Sequence, residues 1–140
     1  MITNNAQQFK SFLMSQDINL DFMEDENGNT LVEIRESLKC GTKLRIIVIF
    51  NKEDSMVSMY GIDFVQGINP TKRNYMYEAI NDLNNKYTYY KFLLDKDRVE
   101  VQSFVLFDDN FSNEVIMKYI MGMINVVEQE FSGLMKIMWS

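Results

Sequence analysis

The segment NPTKRNYMYEAINDLNNKYTYYKFLLDKDRVEVQSFVLF, residues 69–107, decides the fold, because its apolar spacing changes from helical to strand-like midway. It opens with the chain's single proline, in Asn69-Pro70. Asparagine is a favoured N-cap and proline suits the first helical position, so a helix is predicted from Pro70 to Lys86. Met76, Ala79, Ile80, Leu83 and Tyr87 then fall on one helical face. A hairpin follows: Tyr89 to Leu94 and Val99 to Phe107 flank the polar turn Asp95-Lys96-Asp97-Arg98. Val99, Val101, Ser103, Val105 and Phe107 alternate along its second strand.

Upstream, Asn4 to Gln16 reads as a short helix with Ala6, Phe9, Phe12 and Leu13 on one face. Four strands follow it. Leu20 to Glu24 and Leu31 to Leu38 flank Asn27-Gly28, a strong hairpin signal. After the Cys40-Gly41 turn, Leu44 to Phe50 (LRIIVIF) is apolar on both faces, the pattern of a strand covered on both sides. Met56 to Phe64 pairs back across Lys52-Glu53-Asp54-Ser55.

Downstream, Ser112 caps a last helix that runs to about Met138. Glu114, Lys118, Asn125, Gln129, Ser132 and Lys136 form its narrow polar stripe. The remaining apolar arc spans roughly 200°, whereas a helix on one sheet needs only about 100°. A second contact is therefore expected through the stripe Val115, Tyr119, Val126 and Ile137, with Gly122 permitting close approach at its edge. These five residues are the candidate interface for a protein partner or a second copy of the chain. The alternative occupant is the first helix, through Phe9, Phe12 and Leu13.

The element order is thus α-β(4)-α-β(2)-α, an α+β domain with helices packed on a mostly antiparallel sheet. At 140 residues and 46% hydrophobic content the chain fits one domain, residues 1–140, with one core.

Composition narrows the chemistry. There is no histidine, so the commonest general base and metal ligand are both missing. The single cysteine, Cys40, forms neither an intrachain disulfide nor a zinc cluster, which fits a reducing cytoplasm. Cys40 sits between Lys39 and Lys43, which would lower a thiol pKa, but no matching base stands near it in sequence. No phosphate loop, calcium loop or nucleophile elbow occurs. Asp108-Asp109 and Asp95/Asp97 are the tight acidic groups, and both lie where aspartate favours a turn or helix start. No catalytic residue, cofactor or metal is expected.

Tyr75, Tyr77, Tyr87, Tyr89 and Tyr90 lie near Lys72, Arg73, Lys86 and Lys91, a pattern that suits stacking on single-stranded nucleic acid. A net charge of −6 and a pI near 4.6 oppose that partner and an anionic membrane surface. The opening MITNNAQQFK lacks the basic run and apolar core of a signal peptide. Val115 to Val127, interrupted by Lys118 and Asn125, is too short for a membrane span. A cytoplasmic location, with neither nucleic acid nor membrane as partner, is the expectation. Eleven methionines, with Met117 and Met121 one turn apart at the margin of the polar stripe, favour an adaptable binding surface.

Ala79-Ile80-Asn81-Asp82-Leu83-Asn84, Tyr89-Tyr90-Lys91-Phe92, Leu94-Asp95 and Val99-Glu100-Val101 together resemble the second half of YbjN-type domains. In that family an Asn-containing helix precedes a "kF-x-l-D … v-x-v" hairpin, and a long last helix opens in acidic residues, as Ser112-Asn113-Glu114 does here. The match covers about Met76 to Phe131, and the first half follows in topology, with four strands where the related chaperones have three. The family is described as bacterial sensory-transduction regulators and shares the fold of type III secretion chaperones. The resemblance implies a small, acidic, dimeric, non-enzymatic protein that buries an apolar segment of a partner or of a second subunit. A small-ligand sensor, with a pocket between the last helix and the sheet, is the alternative. An acidic immunity-type inhibitor of a basic toxin is the third reading.

Overall fold

The computed structural model describes residues 2–140 and has the order expected: helix, four strands, helix, two strands, helix. Thr3 caps α1 (Asn4–Ser15), its hydroxyl accepting from the Ala6 amide at 3.2 Å. The strands are β1 (Phe22–Glu24), β2 (Thr30–Ser37), β3 (Lys43–Phe50), β4 (Met56–Val65), β5 (Lys91–Asp95) and β6 (Arg98–Leu106). They form one sheet in the order β1-β2-β3-β4-β6-β5, with every neighbouring pair antiparallel.

Asn69 and Pro70 start the middle helix in two stages. The Asn69 side chain accepts from the Thr71 amide at 3.0 Å, and Pro70–Lys72 form a 3-10 turn. The α-helix proper, α2, is Arg73–Lys86. The last helix, α3, is Asn113–Trp139, capped by Ser112 as predicted. The Asn27-Gly28 hairpin also forms, but with a longer loop than an Asn-Gly pair alone needs. The Asp25 carboxylate accepts from the amides of Asn27 and Asn29 and holds the turn open, with Gly28 at φ +84°.

The helices lie on one face of the sheet. Leu44, Ile46, Val48 and Phe50 of β3 point into that layer with Val57 and Met59 of β4 and Val99 and Val101 of β6, and all are buried. Ile116, Ile120, Met123 and Val127 of α3 close the core from above, while Met76, Ile80 and Leu83 of α2 cover Phe92 of β5. Gly61 lets α3 approach β4: a Cβ there would lie 2.6 Å from Val101 Cγ1 and 3.0 Å from Met123 Sδ. Just beyond it β4 bulges, its register to β6 shifting between Gly61 and Val65, with Asp63 at φ +71°.

The expectation that β3 is covered on both sides does not hold. Its second apolar set, Ile47 and Ile49, faces away from the helices and is half-buried by its neighbours in the sheet. A continuous apolar run measures how apolar both faces are, and not whether a layer lies on each.

Candidate functional site

The wide apolar arc of α3 is largely satisfied inside the chain. Val126 is 6% exposed, and Val115, Tyr119, Gly122 and Ile137 are half-buried against the core or its margin. The Tyr89-Tyr90 segment ahead of β5 covers the part of the arc at Tyr119 and Gly122, while Ile137 lies beside Ala79 and Leu83 of α2. The rings of Tyr89 and Tyr90 stand 6.0 and 6.4 Å from that of Tyr119. The Tyr90 hydroxyl donates to the Tyr119 carbonyl at 2.9 Å and nests on Gly122, so the close approach at Gly122 is made by a tyrosine of the same chain. Burial pushes the Tyr90 phenol up to about 12, with Tyr119 adding to the shift.

The first helix is placed elsewhere. Phe9 packs on Phe12, Phe22 and Phe50, at centroid distances of 5.7–6.5 Å, over the β1–β3 end of the sheet. The polar stripe of α3 is exposed as expected, and Met121 beside it is 49% exposed.

The uncovered surface is the opposite face of the sheet. Cross-strand register puts Met23, Leu31, Ile49, Ser58 and Phe104 in one row and Glu33, Ile47, Tyr60 and Gln102 in the next. Met56 and Leu106 pair beyond the first row, and Ile62 and Leu93 extend the apolar set on the other side. Met23, Phe104 and Leu106 are 66%, 47% and 80% exposed. Leu106 stands open because β6 outruns β5, whose pairing ends at Lys91 opposite Gln102. Tyr60 and Phe104 meet edge to face at 5.9 Å, which fixes both rings in the surface.

Ion pairs border this apolar field. Arg45 links β2 to β4, donating through Nε to Glu33 and through Nη1 to Asp63 at 2.9 Å. The Arg45 bond and the neighbouring Arg35 hold the Glu33 carboxyl below its ordinary value. Its two carboxylate partners raise Arg45 in turn. At the other corner Arg98 stands 3.6 Å from Asp95 and 3.3 Å from Glu100. The strands place Arg35, Lys43, Arg45, Lys91 and Arg98 on this face against Glu33, Asp63, Asp95 and Glu100. The field is therefore close to neutral, and the rest of the chain carries the whole acidic excess behind its net charge of −6.

The other candidates of the sequence resolve into local structure. Lys72, Arg73 and Lys86 lie over the rings of Tyr75, Tyr77 and Tyr87 at 5.3–5.8 Å, so these cations already serve the chain's own aromatics. Asp95 flanks the β5–β6 turn, while Asp108 and Asp109 are exposed between β6 and α3. Cys40 is a half-buried free thiol in the turn closed by the Gly41 amide on the Leu38 carbonyl. Among the described residues no three of His, Cys, Asp and Glu stand together as a metal site, and no helix is long and apolar enough to cross a membrane. Comparison with known protein families, curated proteins and solved structures finds no match for the chain.

The open face was missed because alternation is ambiguous about cover. The signal that finds it is the second apolar phase, Leu31, Ile47, Ile49, Tyr60, Phe104 and Leu106, repeated on four adjacent strands.

Proposed function

We propose that this is a non-enzymatic protein-binding module of the YbjN and secretion-chaperone type, which works by burying an apolar surface of a protein partner against the open face of its sheet. The observation that carries this reading is the uncovered field of Met23, Leu31, Ile49, Tyr60, Phe104 and Leu106. Soluble monomers rarely leave contiguous apolar patches above roughly 300–600 Å² open to water. The α+β order and the acidic composition agree with the resemblance in residues 76–131. The acidic remainder of the surface keeps a chain with such a face soluble and selects against acidic competitors.

A sensor with its pocket between α3 and the sheet is less well supported. That space is filled by Leu44, Ile46, Met59, Ile116, Ile120 and Met123, each 2% exposed or less. A photo-crosslinking amino acid at position 104, used in the native host, should trap a protein, while one at the exposed position 77 on α2 should not. Equal capture at both positions, or none at 104, sinks the reading.

A further inference from the structure

We infer that Asn84 guards the outer edge of β5. Its side-chain amide stands in the place of a seventh strand and keeps that edge from pairing with another chain. This role is separate from whatever the open face binds. Asn84 closes the helical segment 79–84 and Phe92 closes the segment 89–92, and the fold bonds one to the other.

The bonds are those of a sheet ladder. The Phe92 amide donates to Asn84 Oδ1 at 2.6 Å, and Asn84 Nδ2 donates back to the Phe92 carbonyl at 3.0 Å. Asparagine suits the task because one side chain offers both an acceptor and a donor. In an antiparallel pair, alternate residues exchange both backbone bonds with their neighbour, and those between turn both groups away. Phe92 gives both groups to Asn84, so it faces away from β6, and Leu94 shares its phase along the strand. Asn84 takes up the first of these outward residues, so an incoming strand meets in β5 only the groups of Leu94.

α2 is tied to this edge at both ends. Near its start the Arg73 guanidinium donates to the Lys96 carbonyl just past β5, and near its end Asn84 reaches Phe92. The lengths agree. From Arg73 to Asn84 a rise of about 1.5 Å per residue gives about 16 Å, and from Phe92 to Lys96 about 3.3 Å per residue gives about 13 Å. Helix and strand therefore run antiparallel, side by side, with the Phe92 ring buried beneath Met76, Ile80 and Leu83.

The guarded segment has the composition of one that aggregates. Residues 88–94, TYYKFLL, hold one charge, Lys91, and neither proline nor glycine, and the rest are aromatic, β-branched or apolar. Windows of this kind stack with copies of themselves when their backbone edge lies open, and proteins blunt such edges with charge or cover. Lys91 is the charge here, and Asn84 with α2 is the cover.

Hydrogen exchange and assembly assays on the purified full chain test this. Alanine is the better helix former, so Asn84→Ala should keep the wild-type circular dichroism. Exchange of the Phe92 amide should rise at least about fivefold, since its acceptor is gone. Warmed and agitated at micromolar concentration, Asn84→Ala should form thioflavin-positive assemblies after a lag at least about threefold shorter than wild type. Gly61→Ala, which strains the fold at β4 and leaves the β5 edge intact, should assemble distinctly more slowly than Asn84→Ala. Asn84→Asp keeps an acceptor for the Phe92 amide, loses the donor to its carbonyl and sets a charge on the edge. It should unfold at lower urea than wild type yet assemble no faster. Asn84→Ala that assembles no faster than Gly61→Ala, or that leaves Phe92 exchange unchanged, overturns the inference. So does Asn84→Asp that assembles as fast as Asn84→Ala, because lost stability would then explain both.

Discussion

Replacing Gly122 with alanine should destabilise the protein, while the same change at Gly133 in the same helix should stabilise it. Alanine is favoured over glycine in a helix interior by about 0.8–1 kcal/mol. At Gly133 an added Cβ meets nothing within 4 Å, so that gain stands. At Gly122 it would overlap the Tyr90 hydroxyl oxygen and lie 3.0 Å from Cζ and 3.5 Å from Cε2. The ring must move. Its hydroxyl then loses the bond to the Tyr119 carbonyl, worth about 1 kcal/mol net, and the crowding adds about 1–3 kcal/mol. Set against the helix preference, the loss should be about 1–3 kcal/mol.

A Tyr90→Phe background removes the overlapping oxygen and the bond together. Only the Cζ contact then remains, and a shift of a few tenths of an ångström relieves it at a cost of about 1 kcal/mol, which the helix preference offsets. Gly122→Ala should therefore be nearly neutral there, a coupling of about 2 kcal/mol between the two positions. Urea unfolding followed by circular dichroism measures all four corners of the cycle, with unchanged m-values as the check that the unfolded state is not at issue. If Gly122→Ala stabilises both backgrounds as Gly133→Ala does, Tyr90 is not seated on α3 and the intrachain cover of that helix is wrong.

Ile120→Asp places a charge without a partner at a buried core position and should cost about 3–5 kcal/mol, lowering the urea midpoint far below wild type; an unchanged midpoint refutes the packing of α3 on the sheet. Gly61→Ala should cost about 1–3 kcal/mol, because its Cβ would press on Val101 and Met123; calorimetric melting reads it, and a raised Tm contradicts the close approach. Alkaline titration of the seven tyrosines at 295 nm should end in one group near 12, and Tyr90→Phe should abolish that step. The folded state holds the Tyr90 proton beyond its ordinary pKa of 10, so stability from this site is full below pH 10 and falls as pH climbs towards 12. Burial alone would raise Glu130, but bonds from Lys86, at 2.7 Å, and from the Tyr87 hydroxyl outweigh it and leave its carboxyl below the ordinary value. Glu130→Gln should be less stable than wild type at pH 7, and the two should converge as acid protonates Glu130; a constant gap down to pH 3, roughly a unit below the ordinary glutamate value, refutes that contribution.

The element order was legible because each boundary is written in backbone chemistry. Asn69-Pro70 and Ser112 start helices where they stand, and the β5–β6 turn falls at Lys96, where φ is +57°. The antiparallel pairing followed from the short polar connections, which leave no room for crossovers within either run of strands. Strand order across the sheet was not legible. Nothing local states that β6 inserts between β4 and β5, and that insertion brings Tyr60 beside Phe104.

The candidate site was harder to read because two surfaces had the same sequence signature. Both α3 and the sheet carry more apolar residues than one contact layer needs, and periodicity alone does not say which excess meets water. For α3 the excess meets Tyr89 and Tyr90, which read as a polar aromatic loop until the fold brings them onto Tyr119 and Gly122. For the sheet it meets no second layer among the described residues, only the margin formed by residues 19–21, although Ile47 and Ile49 look no more exposed in sequence than Ile46 and Val48. The distinction is three-dimensional: a helix is wrapped by any neighbour within reach, whereas a six-stranded sheet needs a whole second layer. Three helices supply one layer and no more. The composition of the chain thus overfills its own core, and the surplus collects on the open face of the sheet.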